Sequence, residues 1–235
     1  MIGYFFFFSS FTSKKTSRNN VDVVLIDSGI SPSLINNLPK NIKVVSYDKK
    51  ENNNTHADLV TKKMVENLNE KIHLTIHDLI VTNKKNVPVS TLNKKLEEAV
   101  KIDPDIIHLS LGVNINNPEL KQYIHTLISE NIIIVASAGN RFGLSAQYPA
   151  RYKNVISVGS VNNQNEISTF SARKNVDFYA LGEYEDFSGT SFSSPTITTK
   201  IIELLYADES YLAADIFPDL QKMSTRNDDI LIIKK

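Results

Sequence analysis

The sequence lacks cysteine altogether, and its charges cancel. Without cysteine the chain can form neither a disulfide nor a thiol nucleophile, which excludes disulfide scaffolds and cysteine-dependent enzymes. The 26 Lys and Arg residues balance the 26 Asp and Glu residues, so the charge gives no electrostatic basis for binding nucleic acid or an anionic membrane. The absence of cysteine does not decide the cellular compartment.

Further absences concern ligands and membranes. The sequence has no glycine-rich phosphate loop, no cluster with metal-ligand spacing, no internal repeat and no Asp- or Asn-rich loop typical of calcium sites. We therefore expect no cofactor and no metal. No apolar run approaches the roughly 20 residues that a membrane-spanning helix needs, so we expect no membrane span. The sequence leaves the oligomeric state open.

The first 20 residues are apolar at their start and basic afterwards. Phe5–Phe8 precede Lys14, Lys15 and Arg18, which reverses the order found in a secretory signal. We expect residues 1–20 to form a short extension that leaves no room for a folded pro-domain. On these grounds we expect a cytoplasmic protein, with residues 21–235 forming a single domain.

With 41% apolar and 22% charged residues, the chain has the composition of a soluble globular protein. Short β-branched runs alternate with segments of helical periodicity, which predicts an α/β fold of three layers, with helices on both faces of a mostly parallel central sheet. Strands are expected at Val21–Ile26 and near residues 42–47, 72–76, 105–111, 131–136 and 154–159, and helices near 56–69, 90–101, 117–130 and 190–206. Loops are expected at 52–54, 114–118 and 181–188, a last helix within 208–222, a turn at 224–229 and a strand at 230–233.

One segment is especially informative: Gly189-Thr190-Ser191-Phe192-Ser193-Ser194-Pro195, which precedes an apolar helical pattern. If Pro195 stands in the first turn of that helix, Ser191 lies at a helix N-terminus. Free N–H groups and the helix dipole favour developing negative charge there. A serine in this place is also an ordinary N-cap, so its interpretation as a nucleophile depends on partners.

Two candidate partners precede Ser191 in the chain. Asp27 ends a predicted buried strand, and His56 belongs to the capping-box pattern Thr55-His56-Ala57-Asp58 that opens a helix. Singly, Asp27 is also a typical turn former and His56 an ordinary first-turn residue. Together, in the order Asp, His, Ser, they favour nucleophilic catalysis and differ from the orders of chymotrypsin and of α/β-hydrolases.

These segments resemble the motifs of the subtilisin-like serine proteases, the subtilase family (peptidase family S8). Asp27-Ser28-Gly29, His56-Ala57-Asp58-Leu59-Val60 and Gly189 to Pro195 are similar to the three motifs that carry its Asp, His and Ser, with Ser193 in place of an alanine. Asp105 to Gly112 resembles its substrate-binding strand, Ile132 to Asn140 the strand with its oxyanion asparagine, and Tyr148 to Val161 a strand on the primed side. Taken alone, Asn140 after Gly139 is a typical turn residue.

The resemblance implies a compact subtilisin-like peptidase domain over residues 21–235, acting on a peptide or protein substrate as a serine endopeptidase through an acyl-enzyme. It implies a catalytic triad of Asp27, His56 and Ser191, with His56 as the general base and Asp27 fixing its tautomer. It implies an oxyanion hole of the Asn140 side chain and the Ser191 N–H. Substrate binding would fall to Ser110, Leu111, Gly112, Ser137, Ala138 and Gly139, which would wall the first pocket.

Several positions depart from the family pattern. Ala57 and Asp58 replace a glycine and a threonine, and we hypothesise that the Asp58 carboxylate raises the pKa of His56. Thr61 and Lys62 replace small residues, which puts the packing of this helix in question. Arg141 is expected at the rim of the first pocket, favouring an acidic or polar P1 residue (the residue before the scissile bond); the alternative is a solvated surface arginine.

The other histidines, His73, His77, His108 and His125, lack partners at a recognisable ligand spacing. We expect them at the edge of the core or on the surface.

Three interpretations of function stay open. The first is an active serine endopeptidase; in size and layout the chain resembles the leader-removing proteases of lantibiotic and related peptide maturation, and a general intracellular degradative protease fits the same residues. The second is a catalytically impaired subtilase-like protein that binds peptides without cutting them. The third is an inactive or poorly folding fragment.

Overall fold

A computed structural model describes residues 19–48, 55–81, 87–208 and 210–234. The loop expected at 52–54 and most of the amino-terminal extension lie outside these ranges. The strands are β1 (Val21–Asp27), β2 (Ile42–Ser46), β3 (Leu74–Ile80), β4 (Ile106–Leu109), β5 (Ile133–Ser137), β6 (Ile156–Val161), β7 (Phe178–Leu181), β8 (Glu183–Tyr184), β9 (Phe187–Ser188), β10 (Thr225–Asn227) and β11 (Ile230–Ile232). The helices are α1 (Pro32–Ile35), α2 (His56–Val65), α3 (Val89–Ile102), α4 (Pro118–Ser129), α5 (Thr190–Ala207) and α6 (Ala213–Met223). None of the helices in the described ranges has both the length and the apolar character to cross a lipid bilayer.

A single large sheet organises the fold. Nine of the described strands form it, in the order β10-β11-β7-β6-β5-β4-β1-β3-β2. All neighbours run parallel except β10 and β11, which form an antiparallel hairpin at one edge. The prediction of a mostly parallel sheet is confirmed.

The sheet has a hydrophobic core on each face, because successive side chains of a strand point to opposite sides. Val23 and Leu25 of β1 point into one core, together with apolar side chains of α2, α5 and α6. Val24 and Ile26 point into the other, together with side chains of α3 and α4. Burial on both sides is what a near-continuous apolar strand predicts, and it confirms the three-layer α/β/α architecture.

The structure departs from the sequence prediction near the carboxyl-terminal end. Residues 225–227, expected within a turn, form strand β10, which pairs with β11. All three residues of β10 are exposed, so no apolar pattern marks them as a strand. The connection over residues 181–188 contains the small β8–β9 hairpin rather than a plain loop. Backbone pairing, rather than side-chain burial, accounts for both elements.

The strand order reverses at β1, since β3 and β2 lie on one side of it and β4 to β7 on the other. At such a reversal, loops that leave the carboxyl ends of neighbouring strands diverge and leave a crevice. Asp27 ends β1, Ser110 follows β4, and Asn140 follows β5 by three residues. The sheet thus brings three of the candidate site residues to the same edge.

Candidate active site

Asp27 and His56 are in direct contact. The Nδ1 atom of His56 lies 2.9 Å from Asp27 Oδ1 and 2.9 Å from Asp27 Oδ2. The aspartate is almost completely buried, and its Oδ1 also accepts a hydrogen bond from the N–H of Ser28. Because Nδ1 faces the carboxylate, the Nε2 atom of the imidazole is left for another partner.

Two opposing effects set the pKa of His56. Burial disfavours the charged imidazolium and lowers the pKa, while the hydrogen bond and the negative charge of Asp27 raise it. The aspartate outweighs the burial, and the pKa lies above the usual value of 6.5. Phe192 contributes to the apolar surroundings, since its ring centroid lies 5.7 Å from that of the imidazole.

The start of α2 is fastened to the loop that follows β1. Thr55 caps the helix by accepting from the N–H of Asp58, and its own hydroxyl donates to the Gly29 carbonyl at 2.8 Å. The Ser28 hydroxyl accepts from the N–H of Ala57 at 3.1 Å. These bonds lie on both sides of His56 in the chain, so they hold the imidazole against Asp27.

Asp58 has a structural role rather than the expected electrostatic one. Its Oδ1 accepts from the N–H of Ser31 at 2.7 Å and its Oδ2 from the N–H of Thr55 at 3.0 Å, which completes a capping box. The pKa of His56 is governed by burial and by Asp27. The hypothesis that Asp58 raises this pKa is therefore wrong, because the carboxylate is oriented toward backbone donors.

The two unusual residues in the middle of α2 are buried to different extents. Thr61 is fully buried, and Lys62 is half-buried. The helix packs against α5, where the Thr199 hydroxyl donates to the Met64 carbonyl at 2.7 Å. Among the described residues, however, the buried Thr61 Oγ1 has no hydrogen-bond partner, so α2 packs closely on α5 and leaves one polar atom unsatisfied.

Ser191 lies in the first turn of α5, which begins one residue before it. Pro195 is therefore six residues into the helix, and the expectation that it stands in the first turn is wrong. A proline has no N–H to donate to the carbonyl four residues earlier, which here is that of Ser191. The hydroxyl of Ser110 donates to this carbonyl instead, at 3.1 Å.

The Ser191 side chain also contacts Ser110. Its Oγ donates to the Ser110 carbonyl at 3.1 Å. Within the part of the chain that the structure describes, this hydroxyl is not hydrogen-bonded to His56. The structure thus brings Asp27 and His56 together and places the Ser191 hydroxyl against the backbone of Ser110, just after β4.

Asn140 packs against the turn that starts α5. Its Oδ1 accepts from the N–H of Thr190 at 3.1 Å, and an N–H can only donate, so the amide orientation follows from the chemistry. A Cβ on Gly189 would lie 3.3 Å from Asn140 Nδ2, so the glycine allows this close approach. The amide oxygen is thereby used for positioning, and the Nδ2 group remains as a donor beside the Ser191 turn.

The expected substrate-binding residues follow two neighbouring strands. Ser110, Leu111 and Gly112 continue β4, while Ser137 ends β5 and Ala138 and Gly139 continue it. The N–H of Gly139 donates to Thr190 Oγ1 at 3.0 Å, which ties this segment to the start of α5. Both segments therefore border the Ser191 turn.

Arg141 has a specific partner at this edge. Its Nη1 donates to Asn114 Oδ1 at 3.0 Å. The guanidinium is thus bound to an asparagine of the chain itself. A preference of Arg141 for acidic or polar P1 residues remains a prediction.

One of the remaining histidines differs from expectation. His108 is fully buried, with Nε2 2.8 Å from Ser110 Oγ and Nδ1 2.7 Å from Thr198 Oγ1. His77 is half-buried at the edge of the core, as expected, and contacts Asp22 through Nε2 at 3.1 Å. A usable signal for His108 was its place two residues before Ser110, because residues two apart in a strand share a face.

A mostly parallel sheet between two helical layers, with Asp27, His56 and Asn140 at the carboxyl edge, has the subtilisin-like architecture. The model of the Subtilase family (Peptidase S8) matches residues 18–223. The chain belongs to the subtilase family.

Two curated relatives illustrate the similarity. The chain is 32% identical over 140 residues to the Major intracellular serine protease of Bacillus subtilis (strain 168), covering 52% of this chain and 43% of the relative. It is 28% identical over 145 residues to Subtilisin of Bacillus pumilus, covering 55% of this chain and 53% of the relative. The aligned region thus spans about half, or less, of the length of each relative.

Two solved structures resemble the whole described fold. The Prenylagaramide maturation protease PagA superimposes with a TM-score of 0.73 at 17% identity, covering 90% of this chain and 86% of that one. The self-cleaved protease domain of PatA superimposes with a TM-score of 0.73 at 17% identity, covering 88% and 89%. At this identity the likeness establishes the fold alone.

Proposed function

We propose that this chain is a serine endopeptidase in which Asp27, His56 and Ser191 form the catalytic triad. The observation that carries the proposal is the His56–Asp27 contact, with Nδ1 2.9 Å from both carboxylate oxygens. This contact fixes the imidazole tautomer and leaves Nε2 to accept a proton from a serine hydroxyl.

Acylation begins with a change of hydrogen bond at Ser191. Its hydroxyl leaves the Ser110 carbonyl and turns to His56 Nε2, which takes the proton as Oγ bonds to the substrate carbonyl carbon. The C–N bond of the substrate then breaks, and His56 returns the proton to the leaving amine. Asp27 stabilises the transient imidazolium without taking its proton.

The negative charge that forms on the substrate oxygen needs donors. Asn140 Nδ2 supplies one, because the amide oxygen is already bound to Thr190, and the N–H of Ser191 at the helix start supplies the second. Water activated by His56 then hydrolyses the acyl-enzyme and frees Ser191.

The surroundings of the site suit a peptide ligand. Ile115, Phe142, Leu144 and Phe187 are each more than half exposed, and each lies within four residues of Gly112, Asn140 or Ser191. Large exposed apolar side chains grouped in sequence around a site are typical of a binding surface for apolar groups.

A fluorophosphonate or peptidyl phosphonate tests the reaction. We expect the wild-type protein to gain one adduct on Ser191, located by mass spectrometry of peptides, and His56→Ala to gain none under the same conditions. A wild-type protein that stays unlabelled while remaining folded would overturn the proposal.

One observation favours the alternative of a peptide-binding protein that does not cut. The Ser191 hydroxyl is bound to the Ser110 carbonyl rather than to His56. In that case the phosphonate leaves Ser191 unmodified, while peptides still bind.

We further propose that the substrate is a precursor peptide cut at a limited number of positions. The likeness to the maturation protease PagA extends over most of both chains, whereas less than half of the Bacillus subtilis relative is matched. The second candidate is a general intracellular degradative protease, and the name of that relative, an intracellular serine protease, supports a cytoplasmic location. Digestion of denatured casein separates the two: a maturation protease leaves large fragments, and a degradative one leaves short peptides.

A further inference from the structure

A cleft lies where β4 and β5 stop pairing. Leu109 and Ala136 are their last paired residues. Beyond them, residues 110–112 form one wall and residues 137–139 the other. The walls adjoin Ser191 and Asn140, so this cleft is the space nearest to a carbonyl that Ser191 would attack.

The floor of the cleft is formed by Gln147 and Tyr148, whose backbone bonds to both walls. The N–H of Gln147 donates to the Ala138 carbonyl at 2.9 Å. Tyr148 exchanges two hydrogen bonds with Val113, which follows Gly112, at 2.7 and 2.9 Å. Gln147 is thus held between the walls by its main chain.

The side chain of Gln147 occupies the cleft. A Cβ built on Gly112 would lie 2.7 Å from Gln147 Cβ, and one built on Gly139 would lie 2.9 Å from Gln147 Cδ and overlap its Oε1. Any larger residue at these two glycines would collide with the glutamine. The glutamine therefore lies against the backbone of both walls.

A hydrogen bond holds the end of this side chain in place. Gln147 Nε2 donates to Asn114 Oδ1 at 2.9 Å, and Arg141 Nη1 donates to the same oxygen at 3.0 Å. Asn114 comes just after one wall and Arg141 just after the other. The three side chains together close the end of the cleft.

We propose that Gln147 restricts the P1 residue of the substrate to glycine, alanine or serine, so that of the acidic and polar residues expected from Arg141 only serine remains. The inference rests on the proposed function, since a P1 residue is defined only for a peptide presented to Ser191. An aromatic or branched P1 side chain would have to displace the glutamine and break its bond to Asn114. A small side chain would not require this displacement.

The test measures kcat/KM for peptides that differ only at P1. We expect the wild-type protein to cleave after alanine at least about tenfold faster than after phenylalanine or leucine. A discrimination of this size is typical of a pocket that accepts a small side chain and excludes a larger one. Gln147→Ala should raise kcat/KM for phenylalanine at least about tenfold while changing that for alanine by less than about threefold. Gln164→Ala, a change at an exposed glutamine outside the cleft, should leave both values unchanged.

Asn114→Ala tests the restraint on the glutamine. It frees Gln147 Nε2, so it should raise cleavage after phenylalanine by less than Gln147→Ala does. Both variants should unfold cooperatively at temperatures near that of the wild type.

A binding measurement separates this inference from the proposed function. Peptides that end in a P1 alanine or phenylalanine carboxylate fill the same cleft without reacting, and calorimetry gives their Kd. If Ser191 neither reacts with the phosphonate nor cuts, the function fails, yet the wild-type protein should still bind the alanine peptide more tightly. Three results would each overturn the proposal. The two peptides are cleaved and bound equally, neither peptide binds, or the preference is unchanged in Gln147→Ala.

Discussion

His108 Nε2 lies 2.8 Å from Ser110 Oγ, and this hydrogen bond connects a buried histidine to the turn that carries Ser191. Ser110 donates its one hydroxyl proton to the Ser191 carbonyl, so toward His108 it can only accept. The proton of the neutral imidazole is therefore on Nε2, and Nδ1 accepts from the Thr198 hydroxyl at 2.7 Å, a closer contact than that of this hydroxyl with the Ser194 carbonyl at 3.4 Å. A directional chain of donors runs from α5 through His108 to the carbonyl that Pro195 leaves without a helical partner.

This arrangement makes stability depend on pH. Burial lowers the pKa of His108 from 6.5 to about 4, so the folded protein keeps the ring neutral where the unfolded chain takes up a proton. Stability is unaffected by this group above pH 6.5 and falls as the pH drops toward 4, by up to about 3 kcal/mol. In His108→Gln, which keeps an amide donor near Ser110, we expect this loss to disappear.

Urea unfolding at several pH values between 7 and 4.5 measures the effect, on the order of a few kcal/mol. His125→Gln is the matched control, because His125 is exposed on α4. Parallel stability curves for the wild type and His108→Gln would contradict the prediction.

Asp58→Asn should destabilise the protein without moving the pH dependence of catalysis. The buried carboxylate accepts from two backbone N–H groups, and an asparagine would present a donor to one of them. We expect a loss of about 1–3 kcal/mol in urea unfolding. Asp215→Asn removes a carboxylate that accepts from a single exposed N–H, that of Leu212 at the start of α6, and should cost less than about 1 kcal/mol. If the acidic limb of kcat/KM lies at lower pH in Asp58→Asn than in the wild type, Asp58 raises the pKa of His56 after all.

Ser193→Ala should stabilise the protein. Among the described residues, Ser193 Oγ has no hydrogen-bond partner although the residue is fully buried. Removing an unsatisfied buried hydroxyl relieves a desolvation cost of about 1 kcal/mol. The neighbouring Ser194→Ala should instead destabilise, because its hydroxyl lies 3.2 Å from Ser110 Oγ. Chemical denaturation of both variants decides the matter, and a less stable Ser193→Ala would be the contrary result.

The sequence predicts well those features that follow from local pattern and fails where partners are distant in the chain. The β-branched run of β1 and the capping pattern at Thr55 locate Asp27 and His56 at the ends of their elements. The side chain of Gln147, by contrast, meets Gly112 and Gly139 only because three loops converge. No spacing rule marks such a contact.

The last prediction concerns the base itself. With its pKa raised above 6.5, His56 should be half protonated at a pH above that value, and kcat/KM should fall on the acidic side of it. Asp27→Asn removes the charge and leaves the burial, so the pKa should drop below 6.5 and the acidic limb should move to lower pH. The rate should fall as well, because an asparagine can favour the wrong imidazole tautomer. In a chymotrypsin-like protease the corresponding change lowers kcat by about 10⁴, and we expect a similar loss here.

The sign for stability is opposite to that of His108. A raised pKa means that the folded state binds the His56 proton more tightly than the unfolded chain does. This contribution is fully present below pH 6.5 and is lost as the pH rises through the folded pKa. NMR titration of the His56 ring protons reads the pKa directly, even in variants that turn over slowly. If the ring titrates at the same pH in the wild type and in Asp27→Asn, the carboxylate does not control it, and the proposed role of Asp27 as the partner of the base would have to be abandoned.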